Sequence, residues 1–514
     1  MSKTIIIIGA GLAGLSAALQ AAENGCNVKL VSSLPSERAQ SVMAEGGINA
    51  ALNTKDENDS PEEHFTDTIK AACGLADPNA VWEMTQAAPE LVHWLLKLGV
   101  KFNMSGYDDV DLRNFGGQKK KRTAFAQSDT GKQIMTAMID AVRRKEASGM
   151  VERFSHHSFL TLRLCGNICC GCVIRDEYSQ ETVELPGDAV IVATGGMHGL
   201  FGNTTGSLSN TGEVTAELFR LGVPLANGEM IQYHPTTVKC GGKCMLISEA
   251  ARGEGGRLFA MKDGKQWYFM EEKYPELGNL MPRDITAREI WKVSHESEVF
   301  LDMTEISEEI ISNKLSGLAD DCMTYLHKDI RKEPVSVLPG IHYFMGGILV
   351  DEQHRTPIQN LYAAGECCAQ YHGANRLGGN SLLGALYGGR VAAKSACEQA
   401  DVVDLSCATQ IDFPPASQIS EIKQLNKVMQ ETMGVVRNEN TLLNGIQTVQ
   451  ALTGNLPLLG MAVLKSALAR KESRGAHWRE DYPKSNDDDY LKTTVARFDG
   501  KQIQISFVPV PERR

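Results

Sequence analysis

Residues 248–256 read SEAARGEGG, two carboxylates (Glu249 and Glu254) bracketing a lone guanidinium at Arg252. Glu249 and Arg252 are three residues apart, a spacing that aligns them on one helical face. Such a pair is either a solvated surface pair, contributing a few tenths of a kcal/mol, or a device for handling a proton. A second candidate is LCGNICCGC, which holds Cys165, Cys169, Cys170 and Cys172. Cys169 and Cys172 stand at C-x2-C spacing, but no second pair follows to complete a four-ligand site. The run continues into GCVIRD as a strand would, so buried small side chains are the expected reading and no metal site is expected. Cys367 with Cys368, and Cys240 with Cys244, read the same way. The third candidate is Gly9-x-Gly11-x-x-Gly14.

That glycine pattern needs a particular frame. A β-branched run at Thr4–Ile8 precedes it, a helical pattern follows, and a second strand comes at Val28–Val31. This is the strand, turn, helix and strand of a dinucleotide-binding unit. Gly9 permits the tight turn, Gly11 lets backbone approach a pyrophosphate, and Gly14 lets helix and strand pack closely, with the helix N-terminus facing the phosphates. The second strand ends in Ser32-Ser33, where an acid would hold a ribose, which leaves FAD open beside NAD. DAVIVATGG (188–196) and LYAAGE (361–366) read as further buried strands, and HGANRLGGNSLLGALYGGRVAAKSA (372–396) as a glycine turn entering a long helix. A nucleotide fold resuming so far along the chain implies an inserted domain, with a cleft between insertion and parent.

A chain of 514 residues is too long for one core, so two to four domains are expected. The net charge of −11 argues against a nucleic-acid partner. The start, MSKTIIIIGAG, reads as neither signal peptide nor membrane span, so the 13 cysteines are expected to be reduced thiols in a cytoplasmic protein.

The chain resembles the flavoprotein subunits of the succinate dehydrogenase/fumarate reductase family, to which L-aspartate oxidase also belongs. The stretches that carry the resemblance are GAGLAGLSAA, AEGGINAAL, FGGQKKKRTAFAQSDTG, QYHPTT, SEAARGEGG, MPRDITAREI, IHYFMGGI, AAGE, HGANRLGGNSLLG and SRGAH, in order from residue 9 to residue 477. It implies an α/β fold: a Rossmann-like FAD-binding domain (about 1–235 and 345–400) interrupted by an α+β capping domain (236–344), then a helical domain with a C-terminal tail (401–514).

The resemblance also implies roles. FAD would be held by Gly9, Ala10, Gly11, Leu12, Ala13 and Gly14 in the first turn, and by Ser32, Ser33, Gln40, Ser41, Ala44, Gly46 and Gly47 after the second strand. Ala193, Thr194, Gly195, Glu213 and Glu366 would add contacts, as would Asn380, Ser381 and Leu382. His234, Ser248, His342 and Arg376 would bind the substrate carboxylates, Arg376 through its planar fork, and Phe115, Gly116 and Gly117 would close the flavin-side wall. Arg283 matches the family's proton donor. An arginine is a poor equilibrium acid, but the developing carbanion is a far stronger base, so Arg283 needs only quick reprotonation. Arg252 and Glu249 match that relay, which answers the question SEAARGEGG poses. Glu254 is expected to be structural, and Lys119–Lys121 a solvated run. His64, His93, His156, His157, His295 and His327 fall in no useful motif.

Two departures matter. Gln40 stands where the complex-forming members carry the histidine bonded to flavin, so FAD should be noncovalent and the reaction biased to fumarate reduction. Glu213 stands where the family has a shorter Asp. The expected function is therefore fumarate–succinate interconversion. L-aspartate oxidase, a reductase of another unsaturated acid, and a noncatalytic FAD-binding component are the alternatives. Phe115–Arg122 offers no histidine or carboxylate for an ammonium group, which favours fumarate over aspartate. With no cluster-binding cysteine set and no haem motif, electrons must come from an iron–sulfur subunit or a soluble donor. An iron–sulfur subunit would hold the chain at the inner face of the membrane.

Overall fold

The computed structural model describes residues 2–106, 109–241, 243–401, 411, 413 and 418–514. Its centre is a five-stranded parallel sheet in the order Leu361–Ala363, Ala189–Val192, Thr4–Ile8, Asn27–Ser32, Val151–Ser155. The Thr4–Ile8 strand holds the middle because its four isoleucines are buried on both faces, as a parallel sheet with covered faces demands. Helix Leu12–Glu23 follows, rich in alanine, and stops at Asn24-Gly25, where Gly25 takes a left-handed conformation. It packs against helix Asn380–Gln399, with Ser16 Oγ donating to the Leu386 carbonyl at 2.7 Å.

The glycine fingerprint is tight packing made visible. Gly9 has φ +113°, and a Cβ there would lie 2.2 Å from the Ala193 carbonyl oxygen. A Cβ on Gly14 would lie 1.8 Å from the Gly9 carbonyl oxygen. Any larger residue pushes helix, turn and strand apart.

The chain leaves this body along strand Ile231–Cys240 and returns along Leu338–Phe344. The two pair antiparallel, Ile231 opposite Phe344 and Gln232 opposite Tyr343. Between them residues 247–337 build a separate hydrophobic cluster, joined by Phe115 from the first segment. Beyond residue 401, the stretches 402–410, 412 and 414–417, where the helical domain is expected to begin, lie outside the described residues. Helices Ile419–Thr432, Glu439–Val449 and Asn455–Ala469 follow. The expected tail is a β-hairpin, Lys492–Phe498 with Ile503–Pro509, whose first strand pairs with Leu225–Ala226 and so completes a sheet of the first body.

Cys169, Cys170 and Cys172 lie in strand Ile168–Asp176 and are buried, as their strand-like pattern suggests. The expectation of thiols throughout needs correction: Cys165 is disulfide-bonded, while the other described cysteines are free. Spacing along the chain carries no information about such a pairing. No described helix is long and apolar enough to cross a membrane.

Candidate active site

One cavity of about 840 Å³ runs from the C-terminal ends of the parallel strands to the underside of the inserted unit. Its wall begins at Gly9, Ala10, Gly11, Leu12 and Ala13. Gly11 caps helix Leu12–Glu23 without a side-chain acceptor, so the first-turn N–H groups there are served by little beyond Ser41 Oγ, 3.3 Å from the Leu12 nitrogen. Ser32, Ser33, Gln40, Ser41, Ala44, Gly46 and Gly47 line it, as do Ala193, Thr194, Gly195, Glu213, Glu366, Ser381 and Leu382. Among the described residues, Ser32 Oγ is buried with no hydrogen-bond partner, and the Gly379 cap of helix Asn380–Gln399 also lacks a side-chain acceptor. Two uncapped helix N-termini and an unpartnered hydroxyl suit an anionic dinucleotide with hydroxyl groups, so the residues present fit FAD.

Five expected site residues, Gly14, Gly116, Gly117, Arg252 and Asn380, lie behind the wall. Gly14 packs against Gly9, and Asn380 sits in a buried network with Asn49, His64 and Thr68. Gly116 presses on Glu249: a Cβ there would come within 2.6 Å of Glu249 Oε1. Arg252 stands behind the same carboxylate, while Glu254 turns away to Lys314 at 3.1 Å.

At the other end of the cavity, Ser248 caps the short helix Glu249–Gly253, its Oγ accepting from the Ala250 nitrogen at 3.4 Å while its own hydrogen remains available. Arg283 opens helix Arg283–Val293 and reaches back, donating to Glu249 Oε2 from Nη2 at 2.6 Å and from Nε at 3.0 Å. Arg252 Nη2 donates to Glu249 Oε1 at 3.2 Å, and Arg252 Nη1 to the Asn279 carbonyl at 2.6 Å. One buried carboxylate therefore bridges two guanidiniums. Burial works to raise the Glu249 pKa, but Arg283 and Arg252 outweigh it and hold the carboxyl below its ordinary range. Burial lowers the pKa of Arg252, an effect Glu249 opposes.

His234 and His342 sit on the two paired exit and return strands, ring centroids 5.0 Å apart. Thr236 backbone engages His234 Nδ1, and Thr205 Oγ1 meets His342 Nδ1 at 2.8 Å. Burial, then the neighbouring Arg283 cation, push both imidazoles well below their ordinary pKa, so both are neutral. Arg376 is buried over the Tyr343 ring at 4.3 Å, yet its guanidinium makes no hydrogen bond among the described residues and its Nε is covered without a partner. Burial and Arg283 bring its pKa down to about 9, so it remains a cation at neutral pH. Phe115 completes the wall.

Sequence reasoning missed Gln232, whose Oε1 accepts from Arg283 Nη1 at 3.0 Å while its Nε2 donates to Asn375 Oδ1 and the Arg376 carbonyl, each at 2.9 Å. Its place two residues before His234 on one strand could have flagged it, since alternate residues share a face. Tyr343, His198 and Glu45 were missed too. His198 Nε2 lies 3.2 Å from Glu366 Oε1, and Glu366 also accepts from the Gly196 and Phe344 nitrogens. Glu45 lines the cavity with one carboxyl oxygen covered and unpartnered among the described residues, and burial followed by Asp321 raises its pKa to about 8.

With this geometry in view, comparison with known proteins is decisive. The FAD binding domain family matches residues 4–382 and the fumarate reductase flavoprotein C-terminal family residues 452–513. The succinate dehydrogenase flavoprotein subunit of Bacillus subtilis is 38% identical over 100% of this chain and 98% of its own. The chain belongs to the succinate dehydrogenase/fumarate reductase flavoprotein family. The 8-methylmenaquinol:fumarate reductase flavoprotein subunit of Wolinella succinogenes is 32% identical, over 100% of this chain and 92% of its own. An E. coli quinol fumarate reductase structure superposes with TM-score 0.90 at 27% identity, covering 99% and 97% of the two chains. The protein is thus an FAD-dependent oxidoreductase, and the expected α/β fold with its helical C-terminal region stands.

Proposed function

We propose that the protein interconverts fumarate and succinate, biased to fumarate reduction. The carrying observation is the charge balance at the inner end of the cavity. Among the described residues Arg252 and Arg283 share one ion-paired carboxylate, Glu249, and Arg376 has no ion pair, so guanidiniums outnumber ion-paired carboxylates three to one, an excess that suits a dicarboxylate dianion. The names of the Bacillus and Wolinella relatives support the same substrate pair.

Bound FAD contributes hydride chemistry at one alkene carbon; the chain's residues do the rest. Arg376 and the neutral His234 and His342, with the Ser248 hydroxyl, hold and orient the carboxylates. Of the five guanidinium N–H groups of Arg283, three are committed to Glu249 and Gln232, leaving one each on Nη1 and Nη2. One of these delivers the proton to the second alkene carbon. Arg252 then gives a proton to the Glu249 carboxylate, which passes it on to Arg283 and returns to its ionised form, a relay whose links of 3.2 and 2.6 Å are within hydrogen-bond reach. Phe115, Gly116 and Gly117 shield the flavin side from water.

The same reading has the FAD bound noncovalently, because the Gln40 amide cannot form the flavin bond. It divides the chain at about 235, 344 and 400 into an interrupted FAD-binding domain, a cap and a C-terminal domain. It also places the chain in the cytoplasm, taking electrons from an iron–sulfur subunit or a soluble donor. Oxidation of reduced viologen on adding fumarate is the test. Fumarate-dependent turnover is expected; hydrogen peroxide formed with L-aspartate, and no response to fumarate, would replace the reading with an aspartate oxidase. Flavin retained by the acid-denatured polypeptide after filtration would refute noncovalent attachment.

A further inference from the structure

Far from the cavity, two free thiols face each other. Cys26 lies in the turn between helix Leu12–Glu23 and strand Asn27–Ser32, and Cys397 in the last turn of helix Asn380–Gln399. Their Sγ atoms are 2.9 Å apart across 371 residues of chain. A disulfide is about 2.0 Å long, so bonding asks the sulfurs to close by about 1 Å, within reach of a side-chain adjustment. The pair is asymmetric: Cys26 is 5% exposed, whereas Cys397 is partly open to solvent. Lys3 Nζ, bonded to the Cys397 carbonyl at 2.7 Å, adds a cation beside the more open thiol. The two helices are already in register, since a Cβ on Gly389 would lie 2.3 Å from the Ala13 carbonyl oxygen. Both helices present their N-termini to the flavin cavity, so their opposite ends meet at these sulfurs.

We propose that Cys26 and Cys397 are an oxidative modification site, in which a peroxide joins them into a reversible disulfide that staples the two cavity-facing helices at their far ends. The Cys397 thiolate attacks one peroxide oxygen; the O–O bond breaks, giving the sulfenic acid and water. The Cys26 sulfur then attacks the Cys397 sulfur; the S–S bond forms, the S–O bond breaks, and a second water leaves with the Cys26 proton. Two thiols lose two electrons and the peroxide becomes two waters. Burial and the neighbouring Cys26 thiol raise the Cys397 pKa above the ordinary thiol range, an effect that Lys3 opposes. The first step therefore accelerates as pH rises.

The test treats flavin-loaded protein with hydrogen peroxide at pH 7 and pH 8.5, blocks remaining thiols, and maps cross-linked peptides by non-reducing mass spectrometry. The expected result is a Cys26–Cys397 peptide pair lighter by two hydrogens, forming faster at pH 8.5. A melting temperature higher by a few degrees should accompany it, because the bridge closes a very long loop. Both signals should vanish in Cys397→Ser and in Cys26→Ala, the latter chosen to keep a small side chain at the buried position. The Cys165 disulfide is common to all samples and drops out of the comparison. Recovery of Cys397 as free thiol or sulfinic acid with no cross-link, or its linkage to another cysteine, would overturn the proposal.

Discussion

Two of the regions in which this molecule buries arginine treat it oppositely. In the C-terminal region Arg470 donates to Glu229 and Glu472 at 2.7 Å each and to Thr494, Arg474 meets Glu472 and Asp487, and Arg479 grips Asp481 through Nε and Nη2. Cation and anion are matched there, and the cluster ties SRGAH to the closing hairpin. At the cavity, among the described residues, Glu249 is the one carboxylate ion-paired with Arg252 and Arg283, and Arg376 lies over an aromatic ring with no ion pair. One side chain thus serves two ends: saturated with partners it fixes a structure, and left short of anions it prepares a site. The shortage costs stability in the free protein and is the kind of strain that binding relieves.

The sharpest way to break this contrast is at Arg283. Arg283→Lys keeps a charge near Glu249 but loses the fork, and turnover should fall about a thousand-fold while flavin stays bound, read by steady-state rates and the flavin spectrum. Next is Arg470→Met, which strands the buried Glu229 and takes one of the two arginines from Glu472; stability should drop by about 3–5 kcal/mol in chemical denaturation, with turnover per folded molecule unchanged. Arg376→Gln should do the reverse. Its KM for the dicarboxylate should rise about a hundred-fold while the melting temperature holds or increases, because an unpartnered buried cation has gone. A fall in stability there like that of Arg470→Met would erase the distinction. Glu45 tests the cavity through pH. Its folded-state pKa of about 8, against 4.5 unperturbed, means the native state holds the proton more tightly. Stability should therefore decline as pH rises from about 4.5 to about 8 and flatten above, and Glu45→Gln should remove that slope in a pH series of denaturation curves.

Much of the site was legible because it is local. Gly9, Gly11 and Gly14 fall within one turn, and SEAARGEGG carries the carboxylate, one of its two guanidiniums and the serine cap in five consecutive residues. The match of Arg283 came through resemblance alone, since nothing in MPRD marks a side chain that folds back 34 residues to Glu249. Gln232 and Tyr343 act through strand pairing between residues more than a hundred apart, which no local pattern encodes. The C-terminal hairpin escaped because its edge partner, Leu225–Ala226, is two residues long and lies more than 250 positions earlier in the chain. Glu45 looks like any loop acid until Asp321 of the inserted unit is laid beside it.

The most direct measurement titrates flavin-loaded protein with succinate and, separately, with butyrate, following the flavin absorbance. The excess of guanidiniums over ion-paired carboxylates predicts saturable binding of the dianion, at least about a hundred-fold tighter than the monoanion. Equal affinity for the two acids would contradict the charge account of the site.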